Sequence, residues 1–102
     1  MTHIVVTARA ERDLEDIWLT IAADSTRAAT RVVRAIAARI ETLAMFPRMG
    51  PQRSDVRPSL RALVHRPYLA LYAIHPDSSD IAVHVVEIVR IIDGRRDLCH
   101  LF

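Results

Sequence analysis

The chain of 102 residues is long enough for one globular domain, and its composition, 51% hydrophobic and 25% charged, excludes a disordered tail or a collagen-like chain. No apolar run approaches the roughly 20 residues of a transmembrane helix, and the first residues do not have the pattern of a secretory signal. The single cysteine, Cys99, excludes an internal disulfide and a cysteine-built zinc site. We therefore expect a cytoplasmic protein.

The basic residues are of one kind. The formal net charge is only +2, but all fourteen basic side chains are arginine and none is lysine. Arginine stays protonated at any cellular pH and binds carboxylate or phosphate groups through a planar fork. The composition is therefore compatible with an anionic partner without identifying one.

The N-terminal half predicts a strand and two helices. Residues 3–7 are rich in β-branched side chains, which favours a strand. A helix over residues 10–23 follows, with Thr7 as a plausible N-cap. One face of this helix is apolar, and the other carries charged residues: Glu11, Arg12, Asp13, Glu15 and Asp16.

A second helix is predicted over residues 25–45, capped by Ser25 and stopped by Pro47. Because the joint between the helices is very short, they must pack as an antiparallel hairpin. Residues 47–59 form a loop that contains prolines, Gly50 and several arginines.

Beyond the loop the apolar period becomes two, which predicts strands at 60–66, 68–75 and 81–92, a turn at 76–80 and a tail at 95–102. The expected fold is a single α+β domain over residues 1–102, of order β-α-α-β-β-β. It has the helical hairpin on one face of an antiparallel sheet.

The last two strands are apolar on both faces, as in strands covered on both sides. The helical hairpin covers only one face. The C-terminal tail, a second copy of the chain or a separate protein is therefore needed on the other.

Few residues suggest a reaction. The five histidines are too scattered for a metal site, no glycine-rich phosphate loop is present, and we expect neither metal nor cofactor. RNA cleavage is the reaction to weigh, with Arg61, Arg66 and Arg90 supplying charge and His84 or His100 moving protons. We favour the alternative that these side chains form ion pairs or face a partner's acidic residues, since arginine transfers protons poorly. Asp97, for example, is placed to pair with Arg61 or Arg96.

The order of several short motifs resembles the RelE/ParE superfamily of type II toxin–antitoxin toxins, and most closely its ParE, or plasmid-stabilisation, branch. The resemblance spans nearly the whole chain. It rests on Ala10, Asp13-Leu14 and Ile17; on Ala28 and residues 36–43; on Pro47 with Gly50; and on Arg61, Tyr68, Tyr72 and the closing segment 90–97. One departure is Asp93, where the superfamily often has histidine.

The resemblance implies a β-α-α-β-β-β fold and a cognate, ParD-like or related antitoxin. The antitoxin would wrap the toxin with its C-terminal segment and bind operator DNA with its N-terminal half, so that the toxin meets operator DNA only through it. ParE-like members are understood to inhibit DNA gyrase by binding, whereas RelE-like members cut mRNA on the ribosome. The catalytic residues of the RNA-cleaving branch are poorly matched, because the chain has no lysine and ends in Leu101-Phe102.

We therefore expect a binding toxin that forms a hetero-oligomer with its antitoxin and has no catalytic residue. Its expected antitoxin or target contacts are Trp18, Ile21, Arg53, Arg57, Arg61, Tyr72, Arg90, Arg95, Arg96, Asp97 and Phe102. Two alternatives stay open: a ribosome-dependent mRNA endonuclease using Arg61, His84, Arg90 and His100, and a detoxified remnant that only represses its own operon with the antitoxin.

Overall fold

The computed structural model describes residues 2–78 and 80–95, which form two helices and a four-stranded sheet. In chain order the elements are β1 (His3–Val6), α1 (Ala8–Ala22), α2 (Thr26–Glu41), a single 3₁₀ turn (Thr42–Ala44), β2 (Arg61–His65), β3 (Tyr68–His75) and β4 (Val85–Asp93). The predicted order of elements is confirmed. Arg96, Asp97, His100, Phe102 and the rest of the predicted tail beyond Arg95 lie outside the described residues.

Both helices begin where the capping residues predicted. The Thr7 hydroxyl accepts a hydrogen bond from the Ala10 amide at 3.2 Å and donates to the Ile88 carbonyl at 2.8 Å, so it caps α1 and ties it to β4. The Ser25 hydroxyl accepts from the Ala28 amide at 3.1 Å. The two-helix hairpin follows from these two caps and the short joint between them.

The sheet is mixed, with strand order β1-β4-β3-β2. Strands β2, β3 and β4 form the predicted antiparallel meander. The sequence analysis did not predict the place of β1, which pairs parallel with β4, from His3 opposite Val85 to Val6 opposite Ile88. β4 therefore lies between two neighbouring strands. Its sequence is apolar on both faces because Ile88 and Ile91 pack in one buried cluster and Ile92 packs in a second one on the opposite face.

The strand predicted to begin at residue 81 begins instead at Val85. The preceding backbone is used in other contacts. The Arg48 guanidinium donates to the carbonyls of Ser78 and Ile81, and the His84 amide donates to the His75 carbonyl at 2.8 Å. Residues 81–84 thus form a connection held partly by a side chain, in spite of their alternating apolar pattern.

Buried side chains lie on both faces of the sheet. The helix-facing core includes Ile36, Leu43, Tyr72 and Ile88. On the opposite face lies a second cluster, against which Val56 of the 51–60 loop packs: Leu60, Ala62, Leu69, Leu71 and Ile92. Part of the second face is thus covered by this loop. The expected contribution of the tail lies outside the described residues.

No helix in the described part of the chain is long and apolar enough to cross a membrane.

Candidate functional site

Arg90 is held by an acidic side chain of the first helix. Its Nε and Nη2 donate to the Asp13 carboxylate at 2.8 and 3.2 Å, and the Ile91 amide donates to the same carboxylate at 2.9 Å. Asp13 is only 6% exposed. The strand register shifts beside Arg90, where the residues opposite Leu71 and Tyr72 are Arg90 and Ile88. Such a bulge re-aims neighbouring side chains.

The contacts of Arg90 and Asp13 correct one prediction. Asp13 was assigned to the solvent-facing side of α1, but it is a buried partner of β4. Arg90 binds Asp13 and has 12% of its side chain exposed, so its contact with a partner stays a prediction. The signal for Asp13 was present in its spacing, three residues after Ala10 and four before Ile17, which places all three on one helix face.

Arg61 and Tyr72 hold the loop that follows the helices. The Arg61 Nη1 donates to the carbonyls of Arg48 and Gly50 at 3.1 and 2.8 Å, and the Tyr72 hydroxyl accepts from the Gly50 amide at 2.9 Å. Tyr72 is 0% exposed, and its burial raises the pKa of its hydroxyl above the ordinary value. The expectation that Tyr72 is a surface anchor is therefore corrected, because its side chain belongs to the core.

Three further predicted arginines fall within the described residues, and they lie at exposed or half-buried positions: Arg53, Arg57 and Arg95. Arg53 forms a two-pronged ion pair with Asp55 at 3.0 and 2.9 Å, and its hydrogen bond lowers the pKa of the Asp55 carboxyl. Arg57 is exposed in the same loop. Arg95 pairs with Asp93, which raises the pKa of the Arg95 guanidinium. These contacts are local and leave the arginines near the surface.

Trp18 and Ile21 are half-buried on α1. The Trp18 indole Nε1 donates to the Thr30 hydroxyl at 3.2 Å, which joins the two helices of the hairpin. Both side chains thus keep some surface near the helix joint, and Trp18 also has a structural role.

The residues of the predicted nuclease are not gathered into one described site. Arg61 is on β2 and Arg90 on β4, with β3 between them, and each guanidinium donates to protein groups. His84 is exposed just before β4. Within residues 2–78 and 80–95, no three histidine, cysteine or acidic side chains are grouped to hold a metal ion.

Sequence reasoning missed an apolar groove just beyond the C-terminal end of α2. This groove, which we call the Phe46 groove, has a volume of about 770 Å³ and is lined by Thr2, Met45, Phe46, Pro47, Arg48, Met49, Ala82 and Val83. Phe46 is 59% exposed, and Ile81, next to the lining in the chain, is 52% exposed. The signal was a run of large apolar residues, Met45, Phe46 and Met49, around the helix-stopping Pro47.

Known proteins resemble this chain along most of its length. The model of the family described as ParE toxin of type II toxin-antitoxin system, parDE, matches residues 4–98. Toxin ParE3 of Caulobacter vibrioides is 29% identical over 99 residues, which cover 96% of this chain and 92% of the relative. A solved structure of the chromosomal ParDE TA system from P. aeruginosa has the same fold, with a TM-score of 0.72 and 22% identity over 91% of this chain and 96% of that one. Because the family model spans nearly the whole sequence, the chain belongs to the ParE toxin family of type II toxin–antitoxin systems.

Proposed function

We propose that this toxin acts by binding: free, it inhibits DNA gyrase, and a cognate ParD-like antitoxin neutralises it by covering its exposed apolar surface. The Phe46 groove is the observation that carries the proposal. Large apolar side chains grouped on the surface of a small protein are typical of an interaction site. Arg48 is the charged residue of the lining, and its guanidinium is engaged by backbone carbonyls.

An antitoxin is the occupant that we assign to the groove. The family is that of parDE systems, and the solved relative is described as a ParDE system. An amphipathic antitoxin segment would place apolar side chains among Met45, Phe46 and Met49, which are exposed when the toxin has no partner. Trp18, Ile21, Arg53, Arg57 and Arg95 stay as proposed outer contacts, together with Arg96, Asp97 and Phe102.

The hydrogen bonds of Arg61 and Arg90 favour a binding function over RNA cleavage. A general base and a cluster of cations must converge on one phosphate for RNA cleavage. Arg61 instead holds the backbone at Arg48 and Gly50, and Arg90 holds Asp13 on the other side of β3. Both guanidinium groups have structural partners that a nuclease would have to release.

The proposal is tested by adding the purified toxin to gyrase and following supercoiling of a closed plasmid. We expect loss of supercoiling and accumulation of cleaved DNA, and full activity when the toxin is first mixed with its antitoxin. The preformed toxin–antitoxin complex is the matched control. Unchanged supercoiling at high toxin excess, or cleavage within codons in primer extension on translated mRNA, would contradict gyrase as the target.

A further inference from the structure

The exposed side of α2 carries a row of arginines that none of the contacts above uses. Arg27, Arg31 and Arg34 follow one another at spacings of four and three residues, so they lie on one side of the helix. All three are exposed, whereas Ala29, Ile36 and Ile40 on the opposite side are buried. We call the three residues the arginine face.

The charge of the arginine face is not balanced within the described chain. No carboxylate of residues 2–78 and 80–95 lies within 4.0 Å of these three guanidinium groups. Arg9, Arg53, Arg90 and Arg95, by contrast, each contact an acidic side chain. Glu41, the one acidic residue of α2, stands at the last position of the helix.

The arrangement is unfavourable for the helix itself. The first turn of α2 holds Arg27 and no acidic residue, although the positive end of the helix dipole favours acids there. Like charges spaced by three or four residues also repel one another. Local rules are most often broken where a sequence serves a function, so these arginines point to an anionic ligand.

The chemistry around the arginine face favours phosphate groups over a protein surface. A protein interface has an apolar centre, whereas the large exposed apolar side chains of the described residues all lie on other elements: Val5, Leu19, Met45, Phe46, Met49, Val64 and Ile81. Single-stranded nucleic acids are bound by stacking on aromatic rings, and the lining at this face contains none. An open concavity of about 500 Å³ is lined here by Thr26, Arg27, Thr30, Arg31 and Arg34.

We propose that the arginine face binds the phosphate backbone of duplex DNA without reading its sequence. From Arg27 to Arg34 the helix rises roughly 10 Å, which matches about three phosphate-to-phosphate steps of one strand measured along the duplex axis. Arginine forks bind phosphate oxygens, and the Thr26 hydroxyl is placed to add a contact of the kind common at DNA backbones. The proposal is independent of the antitoxin and of gyrase, since it rests on α2 alone.

The test measures binding of the full-length toxin to a short fluorescent duplex of mixed sequence, by anisotropy over a series of salt concentrations. The variant is R27Q/R31Q/R34Q. The control is R12Q/R39Q/R66Q, which removes three other exposed arginines and changes the net charge equally. In the variant we expect about tenfold or greater loss of affinity at low salt and a salt slope reduced by about three. We expect less than about twofold change in affinity for the control.

Several results would overturn the proposal. Equal losses in both triple variants would mean that net charge alone attracts DNA. The absence of binding by the unmodified toxin at low salt, or equally tight binding of a single strand, would exclude a duplex backbone site. Loss of antitoxin affinity with DNA affinity unchanged would assign the arginine face to the antitoxin. If the triple variant does not fold by circular dichroism, the single variant Arg31→Gln replaces it, with an expected slope change of about one.

Discussion

Asp13 joins α1 to β4, a role that its position among charged residues of the sequence does not indicate. It lies in a run of charged residues on α1, yet its carboxylate accepts hydrogen bonds from the Arg90 side chain and the Ile91 amide. One buried carboxylate therefore joins the first helix to the central strand. A buried pair is costly to break because the remaining partner keeps its charge without compensation.

We expect Asp13→Asn to lower the free energy of unfolding by about 2–4 kcal/mol, since Arg90 would stay buried without its counter-charge. Urea denaturation followed by circular dichroism measures this. Asp16→Asn, on the exposed side of the same helix, is the control and should change stability by less than about 0.5 kcal/mol. The double variant D13N/R90Q should cost less than the sum of its parts, and strict additivity would disprove the coupling.

Tyr72 makes the stability of the folded protein depend on pH in the alkaline range. Burial raises the pKa of its hydroxyl in the folded protein above the ordinary value of 10.0. Above that pH the unfolded chain loses the phenol proton while the folded chain still holds it, so stability falls as pH rises through this window and is fully present below it. Y68F, which leaves Tyr72 as the sole tyrosine, isolates this ionisation in ultraviolet absorbance. We expect its midpoint above 10 when folded and near 10 in urea; equal midpoints would refute the shift.

At the scale of elements, the sequence predicted what depends on local patterns. The caps Thr7 and Ser25 placed both helix starts within two residues, and the apolar period gave β2 and β3 within a residue. The parallel pairing of β1 with β4 was not predictable in this way, because it joins residues far apart in the chain. The region before Val85 has a strand-like pattern, but the Arg48 guanidinium binds the carbonyls of Ser78 and Ile81 there. An alternating apolar pattern does not reveal such a contact between distant residues.

The loop after α2 depends on the absence of a side chain at Gly50. A Cβ there would lie 2.6 Å from the Ala62 carbonyl oxygen and 2.8 Å from the Tyr72 hydroxyl. We expect Gly50→Ala to destabilise the protein by about 2–3 kcal/mol, because backbone has to shift. Thermal and urea unfolding measure this.

Gly94→Ala is the comparison for Gly50, since its Cβ would meet the Pro67 carbonyl oxygen at 3.1 Å and the flexible Leu69 side chain at 3.2 Å. We expect it to cost less than about 1 kcal/mol. Equal costs for the two glycines would show that the loop is not held closely against the sheet.

At the scale of the whole molecule, the surface divides into areas of different chemistry. The Phe46 groove is apolar and lies just beyond the C-terminal end of α2, whereas the arginine face lies on the exposed side of α2. From the strand pattern, the sequence predicted that the second face of the sheet needs a cover, which could be the tail, a second copy of the chain or a separate protein. It did not locate the groove, because Met45 was predicted as the last residue of the second helix, Met49 as part of the arginine-bearing loop 47–59, and Phe46 fell between the two. The exposure of these apolar residues depends on how residues 45–49 pack beside Thr2 and residues 82–83, which are far from them in the chain.

If the antitoxin occupies the Phe46 groove, Phe46→Glu should weaken its binding by about 10–100-fold, since apolar anchors at the centre of an interface carry most of the affinity. Isothermal titration with the antitoxin measures this. Leu19→Glu is the control, because Leu19 is exposed to a similar degree (55%) on α1, away from the groove. It should change affinity by less than about threefold. Unchanged binding by the Phe46 variant would place the antitoxin elsewhere.

The pairing of β1 with β4 has a consequence for synthesis. Thr7, just after the first strand, already bonds to Ile88, 81 positions further on. During translation β1 therefore stays without its neighbour until residues 85–88 have been made. A premature stop codon anywhere upstream of Val85 removes β4, and with it Arg90, the ion-pair partner of Asp13. Translation interrupted before residue 85 thus yields fragments that lack the strand on which both β1 and Asp13 depend.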